Sequence, residues 1–284
     1  MPEEQMVTAN RPISHEGRTY HMGTKRGELA NRIITVGDHQ RARHLSTFLD
    51  EIRFEHLSPR GFLTITGLYR SHSISIVAIG MGLSMMDFFV REARMVVDGP
   101  LSIIRFGSCG SICDDASIGD VIIAQEAFGI TRNYEFFEES RGEPYKIWPM
   151  VKADPKLTGE MERRFIKELG SVVKGSVGNA DSFYSSQGRK GDEFYDANDG
   201  LLESIREKYE GVVGLEMESH MLFHLAKWST GRDNLRPPSI RAACVLMVYA
   251  DRQGDRFIDP QTSKYLVEKS ATVILDTLVS DLTT

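Results

Sequence analysis

The chain has 284 residues, 41% of them hydrophobic and 26% charged, with a formal net charge of -6. This is the composition of a soluble globular protein with enough apolar sequence for a sizeable core. The acidic balance argues against a general nucleic-acid binder but leaves room for a small anion in a locally basic pocket. The three cysteines, Cys109, Cys113 and Cys244, are too few for a disulfide framework and suit reduced cytosolic thiols. Cys109 and Cys113 lack a second pair to complete a zinc site. The N-terminus has no apolar leader, and no run approaches the roughly 18 apolar residues of a membrane span. A cytoplasmic protein with no metal and no membrane partner is expected.

Residues 1–19 are polar and read as an N-terminal segment; residues 20–284 read as one domain. Residues 32–36 predict a buried strand ending at Gly37 and Asp38, and residues 42–52 a helix. Residues 61–80 predict two strands with a turn near Gly67, then a corner at Gly80-Met81-Gly82 and a helix over 85–97. Residues 102–107 form a short apolar strand closed by a glycine-containing loop over 108–111. Further strands are expected at 119–124, 212–215 and 241–249, and helices at 155–169, 218–228 and 263–279. Residues 185–200, rich in Gly, Ser and Asp, read as a functional loop. Near-continuous apolar strands alternating with helices imply an α/β fold with a sheet covered on both faces.

Ligands of such sheets collect beyond the carboxyl ends of strands. Arg105 interrupts an apolar run, where a charge needs a partner. An anion such as phosphate is one solution and a buried carboxylate the other. Glu216, Met217 and Glu218 open a helix, where acidic residues either cap it or hold sugar hydroxyls. Gln187 and Arg189 offer the donors and acceptor that a pyrimidine dione needs, and Phe183 can stack on a base. Each of these is weak alone. No P-loop or dinucleotide fingerprint appears.

Together and in this order, the motifs closely resemble the nucleoside phosphorylase-I superfamily, and within it the uridine phosphorylases, from about Tyr20 to the end. Tyr20-His21-Met22-Gly23 resembles the segment whose His reaches a neighbouring subunit's ribose. Gly37-Asp38-His39-Gln40-Arg41 is similar to the family's phosphate-binding G-D-x-x-R. Arg60 resembles the arginine donated across a dimer interface. The run from Arg105 to Gly110 matches R-[IF]-G-[TS]-x-G, and Glu216-Met217-Glu218 the ribose-binding E-M-E. Phe183-Tyr184-x-x-Gln187-Gly188-Arg189 is similar to the uridine-type F-Y-x-x-Q-x-R.

The resemblance implies a single α/β domain with a mixed, partly barrel-like sheet. It implies reversible phosphorolysis of uridine to uracil and ribose 1-phosphate, a step of pyrimidine salvage, with inorganic phosphate as co-substrate and no cofactor. Gly37, Arg41, Arg60, Arg105 and Ser108 would hold phosphate. His21, Glu216, Met217 and Glu218 would hold ribose, and Gly110, Phe183, Gln187 and Arg189 the base. Arg189, Gln187 and Arg105 would carry catalysis. The resemblance also implies a homo-oligomer, at least a dimer with shared sites. Two departures stand out. Ala250-Asp251 occupies the family's Asn-Arg pair, with Arg252 one place later, so either Asp251 or Arg252 backs the base; an Asp there would favour a purine or broad-specificity enzyme. Gly61 replaces the Glu that binds a cation in bacterial relatives.

Overall fold

The computed structural model describes residues 5–230 and 239–281, so residues 1–4 of the polar segment lie outside the described residues. The first half comprises β1 (Arg32–Val36), α1 (His39–Ser46), β2 (Glu51–Leu57), β3 (Leu63–Tyr69), β4 (His72–Ala78), α2 (Leu83–Val96), β5 (Leu101–Ser111) and β6 (Val121–Arg132). Then come α3 (Tyr134–Glu139), β7 (Tyr145–Ile147), β8 (Val151–Lys152), α4 (Pro155–Leu169), β9 (Val173–Ala180), α5 (Leu201–Lys208) and β10 (Val212–Glu216). The chain closes with α6 (Ser219–Lys227), β11 (Ile240–Asp251), β12 (Arg256–Phe257) and α7 (Pro260–Asp281). No helix among the described residues is long and apolar enough to cross a membrane.

The strands form one mixed sheet in the order β12-β11-β6-β9-β10-β5-β1-β4-β3-β2, and β11 also pairs with β5. That extra pairing closes β5, β10, β9, β6 and β11 into a five-stranded barrel, from which β1, β4, β3 and β2 extend as an open wing. The barrel expected from the family resemblance is therefore present. The long parallel pair β5 and β11, which runs from Leu101↔Ile240 to Ser111↔Asp251 with one register shift after Val248, is the spine shared by barrel and wing.

Alternation along the buried strands explains their continuous apolar runs. Ile33, Ile103, Cys244 and Leu246 join the core under α2 and α6, with Phe89 and Phe223. Their neighbours Ile34, Ile104, Ala243 and Val245 join the opposite core with Leu45 of α1, Phe165 of α4 and Leu278 of α7.

Several elements differ from the sequence expectations. Helix α1 starts earlier, because the Asp38 carboxylate caps it by accepting from Arg41 N at 2.7 Å, and it ends at Ser46. Residues 51 and 52, expected to end that helix, instead open the edge strand β2. Gly67 is not the turn: it lies inside β3, and the turn is Arg70-Ser71, with φ of 48° and 64°. Gly67 is needed because a Cβ there would sit 2.1 Å from the Glu51 carbonyl oxygen of β2. Residues 108–111 continue β5 into the barrel instead of looping. Strand β9 and helix α5 were not expected. The sequence of β9 hides its strand because Gly175 and Gly178 leave space for Val213 and Leu215 of β10, where a Cβ would approach within 2.6 Å.

Gly67→Ala forces the β2–β3 pair apart. Overpacking of this kind costs about 1–3 kcal/mol, and a lowered denaturation midpoint is expected; an unchanged midpoint would contradict the close approach.

Candidate active site

Strand β5 changes neighbours at the site. Up to Arg105 it runs beside β1, with Thr35 opposite Arg105. From Gly110 it pairs with β10, with Leu215 opposite Gly110. A crevice is left where the order switches, the place where open α/β sheets bind ligands. It holds a cavity of about 280 Å³. Gly37, Arg41, Arg105, Ser108, Gly110, Phe183, Gln187, Arg189 and the Glu216–Glu218 trio all line it.

Arg105 lies inside β5 with only 4% of its surface exposed. Its Nη2 donates to Glu218 Oε2 at 2.7 Å, while Nε and Nη1, both buried, have no partner among the described residues. Buried donors are almost always satisfied; the carboxylate partner expected from the sequence takes one nitrogen of Arg105, and two remain idle. Arg41 is also underused. Its closest acceptors are the Phe106 carbonyl at 3.4 Å and the Asp38 carboxylate at 3.5 Å, the outer limit for hydrogen bonding. Two guanidinium groups thus border one cavity with donors to spare, the fork chemistry that suits phosphate oxygens.

The two glutamates make different contacts. Glu216 caps α6: its carboxylate accepts from Glu218 N at 2.8 Å, Ser219 N at 3.0 Å and Ser219 Oγ at 2.5 Å. Glu218, although at the helix start, makes no side-chain cap. Its two oxygens instead accept from Gly82 N at 2.6 Å and from Arg105. Burial, and then the neighbouring Glu218, push the Glu216 carboxyl up from 4.5 to about 7.

Another wall of the cavity is built by a tight loop. A 3-10 turn, Ser185–Gln187, ends at Gly188, whose left-handed φ of 64° reverses the chain. The reversal brings Arg189 back onto Gln187, with Nη1 donating to Gln187 Oε1 at 2.5 Å and to the Phe183 carbonyl at 2.7 Å. The guanidinium stacks 3.7 Å from the Phe183 ring centre. Asn198, which no motif in the sequence marks, fixes the loop by donating to the Ser185 and Arg189 carbonyls at 3.1 and 2.8 Å. Burial and the nearby Arg252 lower the Arg189 pKa to about 10, so it stays cationic at neutral pH.

Asp251 does not line the cavity. It accepts from Gln253 N and Gly254 N, both at 3.0 Å, and pairs with Arg256 at 2.7 Å. Arg252 does not line it either; it donates to the Gln187 carbonyl at 3.0 Å. Gly110 admits it: a Cβ on Gly110 would meet the Arg252 stem at 3.1 Å.

Arg60 and His21 do not line this cavity. Arg60 is exposed and bonds the Tyr20 hydroxyl at 2.6 Å. His21 bonds the buried carboxylate of Glu92 at 2.6 Å and stacks on Phe88. Sequence reasoning did not single out Met81, Tyr249 or Phe257, which line the cavity, or Glu92. Cys109 also lines it, but burial pushes its thiol well up, which removes it as a nucleophile.

A barrel-and-wing α/β fold with guanidinium, carboxylate and amide groups around one crevice fits a protein of the nucleoside-processing class. The sequence model of the phosphorylase superfamily matches residues 31–233, and the chain belongs to that superfamily. It is 32% identical over 260 residues to a uridine phosphorylase of Thermococcus kodakarensis, covering 89% of this chain and 85% of the relative. Among solved structures, a uridine phosphorylase of the oomycete Phytophthora capsici superposes with a TM-score of 0.90 at 32% identity, over 95% of this chain and 97% of that one. The fold also matches a Trypanosoma brucei nucleoside phosphorylase (TM-score 0.78, 21% identity, covering 95% of this chain and 99% of that one).

The raised Glu216 pKa has a consequence for stability. Between about 4.5 and about 7 the unfolded chain gives up this proton while the folded chain keeps it. This contribution to stability is therefore full at the acid end of the window and falls as pH rises through it. Thermal midpoints measured across that window should converge on those of Glu216→Gln at low pH and drop below them toward neutrality. Parallel curves would contradict the assignment.

Proposed function

We propose that this chain is a uridine phosphorylase, converting uridine and inorganic phosphate to uracil and ribose 1-phosphate in pyrimidine salvage. The observation that carries this reading is a single cavity bordered both by the idle donors of Arg105 and by the Gln187–Arg189 pair. Hydrogen phosphate, held by Arg105, Arg41, Ser108 and the Gly37 backbone, attacks C1′ from the face opposite the base. The bond from C1′ to N1 breaks, its electron pair leaves with uracil, and the phosphate proton ends on the base. Glu218 orients the ribose hydroxyls while fixing Arg105, so sugar and nucleophile are aligned by one ion pair. Gln187 and Arg189 separate from each other to meet the uracil carbonyls, and their bonds strengthen as charge develops there.

The pyrimidine reading is favoured over a purine one by Asp251. Purine-specific members of the family generally use an Asp after this strand at the base, and this one is committed to the turn and Arg256. The active unit is at least a dimer acting in the cytoplasm, with Arg60 and His21 serving a partner's site. Both lie outside the cavity of their own chain, in support of that arrangement. Phosphate is a co-substrate and no cofactor is required.

Turnover of uridine, deoxyuridine, thymidine, inosine and adenosine, each with and without phosphate, tests the reading. Uridine should be consumed only when phosphate is present, and purine nucleosides should lag. Phosphate-independent cleavage would contradict it. Arg189→Ala is expected to lower kcat/KM by about 10²–10³-fold, the loss typical of one donor to a developing anion; a near-wild-type rate would refute its role.

A further inference from the structure

We propose that Tyr249 is a positioning residue for phosphate, acting through Arg41. The inference rests on the reading that Arg41 binds the phosphate. Tyr249 is the extra residue of a bulge in β11: Val248 pairs with Cys109 and Ala250 with Gly110, leaving Tyr249 unpaired in the register. Bulges beside binding sites re-aim a side chain. Here the ring leaves the apolar strand and forms part of the cavity wall.

The ring is pinned and placed against Arg41. The Tyr249 and Ser263 hydroxyls lie 2.5 Å apart, which ties the ring to α7. The Phe257 ring packs edge-on against it, with centres 6.3 Å apart. The Arg41 guanidinium carbon lies 5.5 Å from the Phe106 ring centre and 5.9 Å from that of Tyr249. Aromatic faces attract a cation without occupying its N–H donors. A carboxylate in the same place would consume them, as Glu218 consumes one donor of Arg105. Two rings therefore hold Arg41 while leaving its fork for an anion.

Tyr249 also closes off an alternative position for Arg41. A second cavity of about 560 Å³ adjoins the first, lined by Gln40, His44, Ser263 and Lys264, and Asp38, Arg41 and Tyr249 border both. With the ring gone, the two spaces merge. The weakly bonded Arg41 side chain is then free to swing toward α7 and away from the nucleophile's position.

Steady-state kinetics of Tyr249→Leu and Tyr249→Phe, with each substrate varied separately, tests this. Tyr249→Leu should raise KM for phosphate about tenfold, the scale of a well-placed cation–π contact, while KM for uridine moves less than twofold. Tyr249→Phe, which keeps the ring face, should recover most of the lost phosphate affinity. In an Arg41→Ala background Tyr249→Leu should add little. A rise in KM for uridine alone, or equal losses in the Leu and Phe variants, would overturn the inference. Tyr249→Met, less disruptive in volume, gives the same reading if the Leu variant does not fold. If wild-type turnover does not depend on phosphate, the phosphorylase reading itself fails. If it does and Tyr249→Leu leaves KM for phosphate unchanged, only the role of Tyr249 fails.

Discussion

The buried pair between Arg105 and Glu218 is the interaction on which the rest of the site depends. Taking two charges out of water costs several kcal/mol per ion, and their attraction rarely returns a net gain in stability. This pair leaves two guanidinium nitrogens unsatisfied besides. Such a cost is sensible where a ligand completes the network. The geometry also joins elements distant in sequence: Arg105 comes from β5, Glu218 from the start of α6, and Gly82, at the head of α2, donates to the other Glu218 oxygen. Helix α2, helix α6 and the spine of the sheet thus meet on one carboxylate. Glu216 makes this possible by taking over the capping of α6, which releases Glu218 for the cavity.

Much of this was legible in the sequence because burial writes itself as pattern. The strands that bury both faces read as continuous apolar runs, and Arg105 stood out as a charge within one. Pro155–Leu169 was readable to its ends because Asp154 caps it at Leu157 N and Gly170 stops it. Strand β9 was not readable, because its glycines serve the side chains of β10 and carry no strand propensity of their own. Nor could residue types divide Glu216 from Glu218. Both are acidic and both sit at a helix start; only the direction of each carboxylate separates the cap from the partner of Arg105.

The bulge at Tyr249 explains the other ambiguity. A side chain changes face with each residue along a strand, so one extra residue moves every later side chain to the other face. The family order suggested that position 251 or 252 would stand behind the base. In the fold, Asp251 folds back onto its own turn, and Arg252 reaches the Gln187 carbonyl across Gly110. The same bulge that sends Tyr249 to Arg41 thus precedes the turn that brings Arg252 to the base loop. No alternation rule applied to the sequence would reveal it.

Under the proposed reading, the idle donors of Arg105 form a phosphate site already in the nucleoside-free protein. Calorimetric titration of phosphate into the nucleoside-free protein, for the wild type and for Arg105→Lys, tests it most directly. Measurable binding to the wild type is expected, with a loss of at least about tenfold in the lysine variant, which keeps the charge but not the fork. Equal phosphate affinity in the two proteins would contradict it.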